Sequence, residues 1–96
     1  MNLFRFNEEK DKSLKSTRGV GFKTIIREIK KGNIIEVIDN PNKKRYPNQK
    51  LYLIRMKNHV VVVPYIEEVD SIFLKTFFPS QKYTKKYLSK KLKVKK

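Results

Sequence analysis

Two apolar runs joined by a tight turn constrain the fold of this chain more than any other feature. Residues 51–56 and 60–63 predict two strands, because branched and aromatic side chains pack well on a pleated surface. Between them, Lys57, Asn58 and His59 predict a hairpin in which asparagine tolerates the positive φ of a short turn. Both runs are apolar at odd and even positions, so we expect both faces of the sheet to be covered.

A further strand and a helix are predicted after the hairpin. Residues 72–78 are rich in Phe, Ile and Thr, which favour a strand. Pro79 is expected to stop this strand, because proline has no N–H for the ladder. Ser80 is a typical N-cap residue, and the lysine-rich segment after it predicts a helix.

The N-terminal half predicts one clear helix and one weak helix. The clear helix has apolar residues at the i, i+3, i+4 and i+7 spacing of a single buried face, and these are Phe22, Ile25, Ile26 and Ile29. Gly32 is expected to end it. The weak helix has Asn7 as its N-cap and Gly19 as the left-handed residue after its last turn.

Short strands at residues 3–6 and 34–38 complete the predicted element order, (β)ααββββα. This order predicts an α+β domain in which a small, mostly antiparallel four-stranded sheet has helices packed on one side. We expect residues 1–88 to form this single domain. Residues 89–96 are mostly lysine and are expected to form a frayed basic tail.

The formal net charge of +15 in 96 residues indicates an acidic partner. The charge is uneven, because all nine acidic residues lie at or before Asp70 whereas residues 71–96 carry nine lysines. Nucleic acid, an anionic membrane surface and an acidic protein all fit such a charge. The segment after Ser80 lacks the broad apolar face of a membrane-surface helix, so we expect no membrane contact.

Composition excludes several classes of function. The chain has no cysteine, which excludes disulfides and thiol chemistry. It has one histidine and no carboxylate cluster at metal-ligand spacing, so we expect neither a metal site nor a cofactor. The N-terminal residues lack the apolar core of a signal peptide, and no run is long enough to span a bilayer. A cytoplasmic location is therefore expected.

The charge at the predicted strand-to-helix corner points to a phosphate. Lys82, Lys85 and Lys86 are predicted in the first two turns of the last helix, where the helix dipole is already positive. Cations at such exposed positions cost about 0.3–1 kcal/mol each. An anion bound at this end of the helix would offset that cost, and phosphate fits best.

Four sequence motifs occur in order between residues 4 and 88. They are Phe6-Asn7-Glu8-Glu9-Lys10, Arg18-Gly19-Val20-Gly21-Phe22, Val62-Val63-Pro64-Tyr65 and Phe77-Phe78-Pro79-Ser80-Gln81-Lys82-Tyr83-Thr84. Their order and spacing resemble the BrnT family of bacterial toxins, a branch of the RelE/ParE-like ribonuclease fold. Arg18 stands where that family often has His, Pro79 replaces a Ser and Gln81 replaces the first Arg of the final motif, whereas Lys82 and Thr84 match it.

The resemblance implies a ribonuclease toxin of a type II toxin–antitoxin system. Such a protein cleaves mRNA without metal and thereby inhibits translation. It also implies a protein partner, a small antitoxin that neutralises the toxin and helps to repress their shared operon. An acidic partner is independently reasonable, because a free domain of charge +15 binds RNA indiscriminately unless its surface is covered.

Metal-independent cleavage of RNA needs a base for the 2′-OH, positive charge around the phosphorus and an acid for the leaving oxygen. Our hypothesis is that four cations surround the scissile phosphate, namely Arg18, Arg55, Lys82 and Lys85. Tyr83 or His59 is expected to move protons or to stack on a base. Further RNA contacts are expected from Arg45, His59, Lys75 and Lys86.

Each candidate also has a purely structural interpretation. The lysines of the last helix suit a solvated face, and Tyr83 suits packing on the sheet. Arg55 interrupts an apolar strand and needs a partner such as Glu36 if it has no role in the site. Arg18 suits the negative end of a helix, whereas His59 and Arg45 suit exposed loops.

Two other functions fit the same residues. One is a non-catalytic RNA- or ribosome-binding module that uses the same basic surface. The other is a structural partner of an acidic protein, without any nucleic acid. Cleavage of RNA separates the ribonuclease from the module, and the salt dependence of RNA affinity separates both from the protein-binding function.

Overall fold

The computed structural model describes residues 3–88, and the predicted basic tail at residues 89–96 lies outside that range. Within it, the chain forms six strands and three helices. Their order is β1 (Leu3–Phe6), α1 (Glu8–Arg18), α2 (Phe22–Lys30), β2 (Ile34–Asp39), β3 (Gln49–Met56), β4 (His59–Glu67), β5 (Ser71–Leu74), β6 (Phe78–Ser80) and α3 (Gln81–Tyr87). No helix in the described range is long and apolar enough to cross a membrane.

The strands form one sheet in the order β1-β5-β4-β3-β2, with β6 paired to β4 next to β5. All pairs are antiparallel except β1 with β5, which is parallel. The predicted α+β class and mostly antiparallel sheet are therefore confirmed. The sheet has six strands rather than the predicted four, because β1 joins it and the predicted strand at 72–78 is divided.

One extra residue divides that predicted strand into β5 and β6. Leu74 pairs with Tyr65 of β4, and Phe78 pairs with Val62. Between these two pairs, β4 advances by three residues, from Tyr65 to Val62, whereas its partner advances by four, from Leu74 to Phe78. The extra residue reverses which side chains of the partner segment point to each face of the sheet. Phe77 consequently turns into the core, where its ring meets the Phe22 ring edge-on at 5.3 Å.

Two prolines lie where the ladder has no need of their missing N–H. Pro79 lies within β6, which is an edge strand in this part of the sheet, so the prediction that it ends the strand was wrong. Pro64 lies in β4 opposite the interruption, and its carbonyl accepts a hydrogen bond from Lys75 N at 2.9 Å.

The sheet is covered by helices on both faces. Alternate residues of β3 and β4 face α1 and α2 on one side, where they form a core with Leu14, Phe22, Ile25 and Ile29. The intervening residues face α3, where Tyr83 and Tyr87 pack against them. The prediction of covered faces was correct, but the prediction of helices on one side was wrong.

The junction of α1 and α2 depends on a buried carboxylate. Asp11 is 4% exposed, and its Oδ1 accepts a hydrogen bond from Phe22 N at 2.7 Å, at the first turn of α2. Lys15 Nζ lies 3.4 Å from the other oxygen. Gly21 is required here, because a Cβ at this position would lie 2.5 Å from Asp11 Oδ1. Asp11 thus supplies the cap that the N-cap residue of α2 lacks.

Candidate nucleic-acid interface

Helix α3 is held on the sheet by Ser80 and Thr84. Ser80 Oγ accepts a hydrogen bond from Tyr83 N at 3.2 Å, which confirms the predicted N-cap. The Thr84 hydroxyl accepts from Val60 N at 2.8 Å and donates to Ser80 O at 2.6 Å. Because Val60 directly follows His59, these bonds set the position of α3 relative to the β3–β4 hairpin.

Helix α3 is short, and its length decides which of its lysines lie at the positive end of the helix dipole. The helix has seven residues, so Lys85 and Lys86 lie in its last turn, where the dipole favours cations. The prediction that both lie at the positive end was wrong. Lys82 is in the first turn, with its ammonium 5.4 Å from the centre of the Tyr83 ring. That cation–π contact offsets part of its unfavourable position.

The first concavity beside α3 is the tyrosine groove, an open hollow of about 580 Å³. It combines three lysines, three aromatic side chains and an apolar floor, and these residues include Lys10, Lys75, Lys82, Tyr46, Tyr83, Phe78, Leu51 and Val62. Tyr46 and Phe78 are 36% and 37% exposed. Cations beside exposed rings are the usual components of a single-strand nucleic-acid site.

The second concavity is the hairpin pocket, of about 340 Å³, between the β3–β4 turn and the end of α1. Its rim carries three basic side chains, Arg18, Lys57 and His59. Its walls are apolar and include Val20, Ile25, Met56, Val61 and Phe77. The pocket therefore combines a cationic opening with an apolar interior.

The third concavity is the helix-edge groove, of about 670 Å³, which is lined by His59, Pro79, Gln81, Thr84 and Lys85. It shares His59 and Pro79 with the hairpin pocket. The only histidine in the sequence thus lies between a pocket that contains Arg18 and a groove that contains Lys85.

A fourth hollow, of about 430 Å³, extends the same surface on the far side of the turn. It contains Arg55 and shares Lys57 and Met56 with the hairpin pocket. Because adjacent hollows share lining residues, the basic residues around the turn lie along one continuous surface, which we call the hairpin track. It comprises Arg55, Lys57, Arg18, His59 and Lys85.

The structure distributes the predicted catalytic residues over this surface. Arg55, Arg18 and Lys85 lie along the hairpin track, whereas Lys82 and Tyr83 line the tyrosine groove. The concavities do not place all four predicted cations around one phosphate.

The predicted RNA contacts divide in a similar way. His59 lies on the hairpin track and Lys75 lines the tyrosine groove. Arg45 lies over the ring of Tyr46, with 5.5 Å from Cζ to the ring centre, so it stands beside the tyrosine groove. Lys86 is placed over the Tyr87 ring at 5.4 Å.

Arg55 does not form the ion pair with Glu36 that was one interpretation of the sequence. Its Nε donates to Lys57 O at 3.5 Å, which is a long contact. Glu36 instead accepts a short hydrogen bond from the Tyr87 hydroxyl. This bond raises the pKa of Tyr87 and connects α3 to the edge strand β2.

Lys57, Lys10 and Tyr46 line these concavities but were not among the sequence-based candidates. Lys57 has a φ of 57°, in the left-handed region that glycine and asparagine favour. The turn motif Lys57-Asn58 was visible in the sequence, but it suggested that asparagine would take the positive φ. Lys10 of α1 lines the tyrosine groove, and the preceding strand β1 pairs with β5, a long-range pairing that no local pattern indicates.

The described part of the chain has no cluster of metal-ligating side chains at the candidate interface. Within residues 3–88, no set of three or more His, Cys, Asp or Glu side chains is placed to hold a metal ion. Asn40 Nδ2 donates to Gln49 Oε1 at 3.0 Å at one end of the tyrosine groove. Apart from the carboxylate of Glu28 in the fourth hollow, the polar side chains that line the four concavities are cations, hydroxyls and amides, which suit a phosphate backbone and base edges.

Comparison with known proteins adds no relative to this description. No protein-family model matches the chain. No curated protein and no solved structure matches it either. The resemblance to the BrnT family therefore depends on the sequence motifs alone.

Proposed function

We propose that this protein is a BrnT-type, RelE/ParE-like ribonuclease toxin that binds single-stranded mRNA across the hairpin track and cleaves it without metal. One observation carries the proposal. His59 lies between Arg18 and Lys85, at the boundary of two adjacent hollows. A phosphodiester placed over that boundary meets a titratable imidazole with a cation on each side.

The chemistry assigned to these residues follows from the needs of RNA cleavage. His59 removes the proton of the 2′-OH or protonates the leaving 5′-oxygen, because imidazole is the side chain best suited to both tasks near neutral pH. Arg18 and Lys85 stabilise the additional negative charge on the phosphate oxygens. Each of the three side chains is exposed, so each is accessible to a polymer.

The tyrosine groove supplies binding on the other side of α3. Bases stacked on Tyr46 or Tyr83 gain contact without selecting a sequence, because every base has a flat face. Lys75 and Lys82 lie beside these rings and hold the backbone phosphates. This arrangement supports sequence-tolerant binding, as expected for a toxin that acts on many mRNAs.

The same surface fits an antitoxin as the neutralising partner. An acidic protein that covers the hairpin track and the tyrosine groove would block RNA directly, because both ligands need the same cations. Expression of this protein alone in the cytoplasm is expected to inhibit growth. Co-expression with the open reading frame next to this gene is expected to relieve that inhibition.

Cleavage of a defined RNA in EDTA tests the proposal. We expect fragments with 2′,3′-cyclic phosphate ends, and we expect His59→Ala to lower the cleavage rate by about 10²–10⁴-fold with little change in affinity. Lys12→Ala is the matched control for protein handling, since Lys12 is exposed on α1 and lines none of the four concavities described. Cleavage that His59→Ala leaves unchanged would contradict the proposal.

A non-catalytic RNA-binding module is the second candidate, and the separation of Lys82 from Lys85 favours it. A nuclease that needs both cations on one phosphate has them here in different concavities. RNA that binds but stays intact at protein in excess over RNA would select this candidate. Its affinity should then fall with salt, with a log–log slope of about −0.7 for each phosphate contacted.

A further inference from the structure

The apolar side of the hairpin pocket lies against the protein core. Its wall residues Val20 and Met56 are half-buried, whereas Ile25, Val61 and Phe77 are only 0%, 5% and 2% exposed and form the core behind the pocket. Its volume of about 340 Å³ is at the lower end of the range of about 300–1,000 Å³ for small-ligand sites. The pocket is therefore large enough for a flat ring, which would gain apolar contact from Val20 and Met56.

The turn at the rim of the pocket holds a lysine in an unfavourable backbone conformation. Met56 and His59 pair across a two-residue turn, and Lys57 at the first turn position has a φ of 57°. Glycine, asparagine and aspartate occupy this region at lower cost, and Asn58 is only one position away. A strained lysine at the opening of a pocket indicates that its side chain, rather than its backbone, is needed there.

We propose that the hairpin pocket binds one nucleobase of the RNA, with the adjoining phosphate held by Lys57 and Arg18. A nucleotide matches both parts of the site, because it joins a ring whose flat faces stack on apolar side chains to a phosphate of high charge. The inference extends the proposed function by naming the subsite of a base, and it assigns Lys57 as a further binding residue.

The position of the pocket relates this base to the cleaved bond. His59 lies on the rim of the pocket and also on the wall of the helix-edge groove. A base inside the pocket would fix the register of the strand, so that the next phosphate lies between His59 and Lys85. Base preference would then come from the fit inside the pocket, whereas the tyrosine groove contributes affinity alone.

NMR titrations of the full chain test the inference. The ligands are the four nucleoside 3′-monophosphates, and ribose 5-phosphate serves as the probe that lacks a base. We expect at least one nucleotide to shift the methyl signals of Val20, Ile25 and Val61. We also expect it to bind about tenfold more tightly than ribose 5-phosphate, as expected when an aromatic base gains a stacking or apolar contact.

Lys57→Gly is the decisive variant, because it removes the side chain and relieves the backbone at the same time. We expect unchanged or increased thermal stability together with about tenfold weaker nucleotide binding, the loss expected for one charge-assisted contact. Lys57→Arg should retain binding. Lys12→Ala, which removes the same charge from α1, should change neither property.

Two outcomes would overturn the inference. Equal binding of ribose 5-phosphate and all four nucleotides, without methyl shifts, would mean that the rim contacts phosphate only. Unchanged nucleotide binding by a folded Lys57→Gly protein would remove the assigned residue. Intact RNA in the cleavage assay, combined with nucleotide binding in the pocket, would instead reject the nuclease and keep the base site.

Discussion

The two faces of the sheet differ in how many residues they bury. The face under α1 and α2 has twelve buried residues in its core, whereas the face under α3 has four. We call the face with the smaller core, under α3, the thin face and the other the thick face. The thin face carries α3, the tyrosine groove beside that helix and the helix-edge groove at its end. The thick face, under α1 and α2, therefore provides most of the stability. The thin face, under α3, leaves strand and helix surface available for a ligand, whereas the hairpin pocket opens beside the thick core, to which its wall residues Ile25, Val61 and Phe77 belong.

Individual phenylalanines show the same difference in burial between the two faces. Phe22 is completely buried, and its ring stacks on Phe6 at 4.9 Å and meets Phe77 edge-on. Phe78 is 37% exposed in the tyrosine groove. The same residue type thus serves the core on one face and the candidate interface on the other.

Truncation of these two rings should have opposite consequences. Phe22→Ala is expected to lower the free energy of unfolding by about 3–5 kcal/mol, because it leaves a cavity in the thick core. Phe78→Ala should cost less than about 1 kcal/mol but should weaken RNA binding. Urea denaturation and RNA titration of both variants measure the contrast. Equal stability losses would show that the two faces do not differ in this way.

The carboxylate between α1 and α2 gives the next largest effect. Asp11→Ala should lower the free energy of unfolding by about 1–3 kcal/mol, because it leaves the buried Phe22 N–H without an acceptor. Asp11→Asn keeps an oxygen acceptor and should cost less. If denaturation shows the same loss for both variants, the charge rather than the hydrogen bond is the important feature.

Several elements could be predicted from local sequence because their signals are local. Asn7, Gly19 and Ser80 end or begin helices as expected, since a capping side chain or a left-handed glycine acts within a few residues. The apolar spacing of α2 and the hairpin between β3 and β4 were likewise correct. These features need no knowledge of distant parts of the chain.

The features that were missed depend on long-range pairing. The extra residue between Leu74 and Phe78 is apparent only from the pairing with β4, because residues 72–78 were predicted as one continuous strand. The position of α3 on the second face depends on the match between its tyrosines and a core formed by β3 and β4. The predicted convergence of the cations failed for the same reason, since the end of α3 and its distance from the hairpin are set by tertiary contacts.

Stacking in the tyrosine groove should produce a smaller effect, seen in affinity rather than stability. Tyr46→Ala is expected to weaken binding of single-stranded RNA by about 1 kcal/mol, near the lower limit for loss of one stacked base. Tyr46→Phe should bind normally, because it keeps the ring. Fluorescence anisotropy at constant salt provides the measurement, and equal losses for Ala and Phe would exclude stacking.

The last effect appears only at high pH and belongs to the thick face. Tyr52 and Tyr65 stack at 4.1 Å, and burial, followed by the neighbouring Tyr52 and Glu67, raises the pKa of Tyr65 to about 12. The neutral phenol is favoured in the folded state, so its contribution is complete below the unfolded pKa of 10.0 and is lost as pH rises towards about 12. Tyr65→Phe should lose stability less steeply in that window, as measured by denaturation at several pH values. A slope identical to that of the parent protein would contradict this assignment.

The most direct test of RNA binding at the hairpin track and the tyrosine groove is an NMR titration of the full chain with a single-stranded RNA that carries 2′-O-methyl groups and resists cleavage. We expect the backbone signals of Lys57, His59, Tyr83 and Lys85 to shift, with those on the exposed side of α1, such as Lys12, unchanged. Shifts concentrated on the exposed side of α1 around Lys12, with His59 and Lys57 unaffected, would contradict the assignment of RNA binding to the hairpin track and the tyrosine groove.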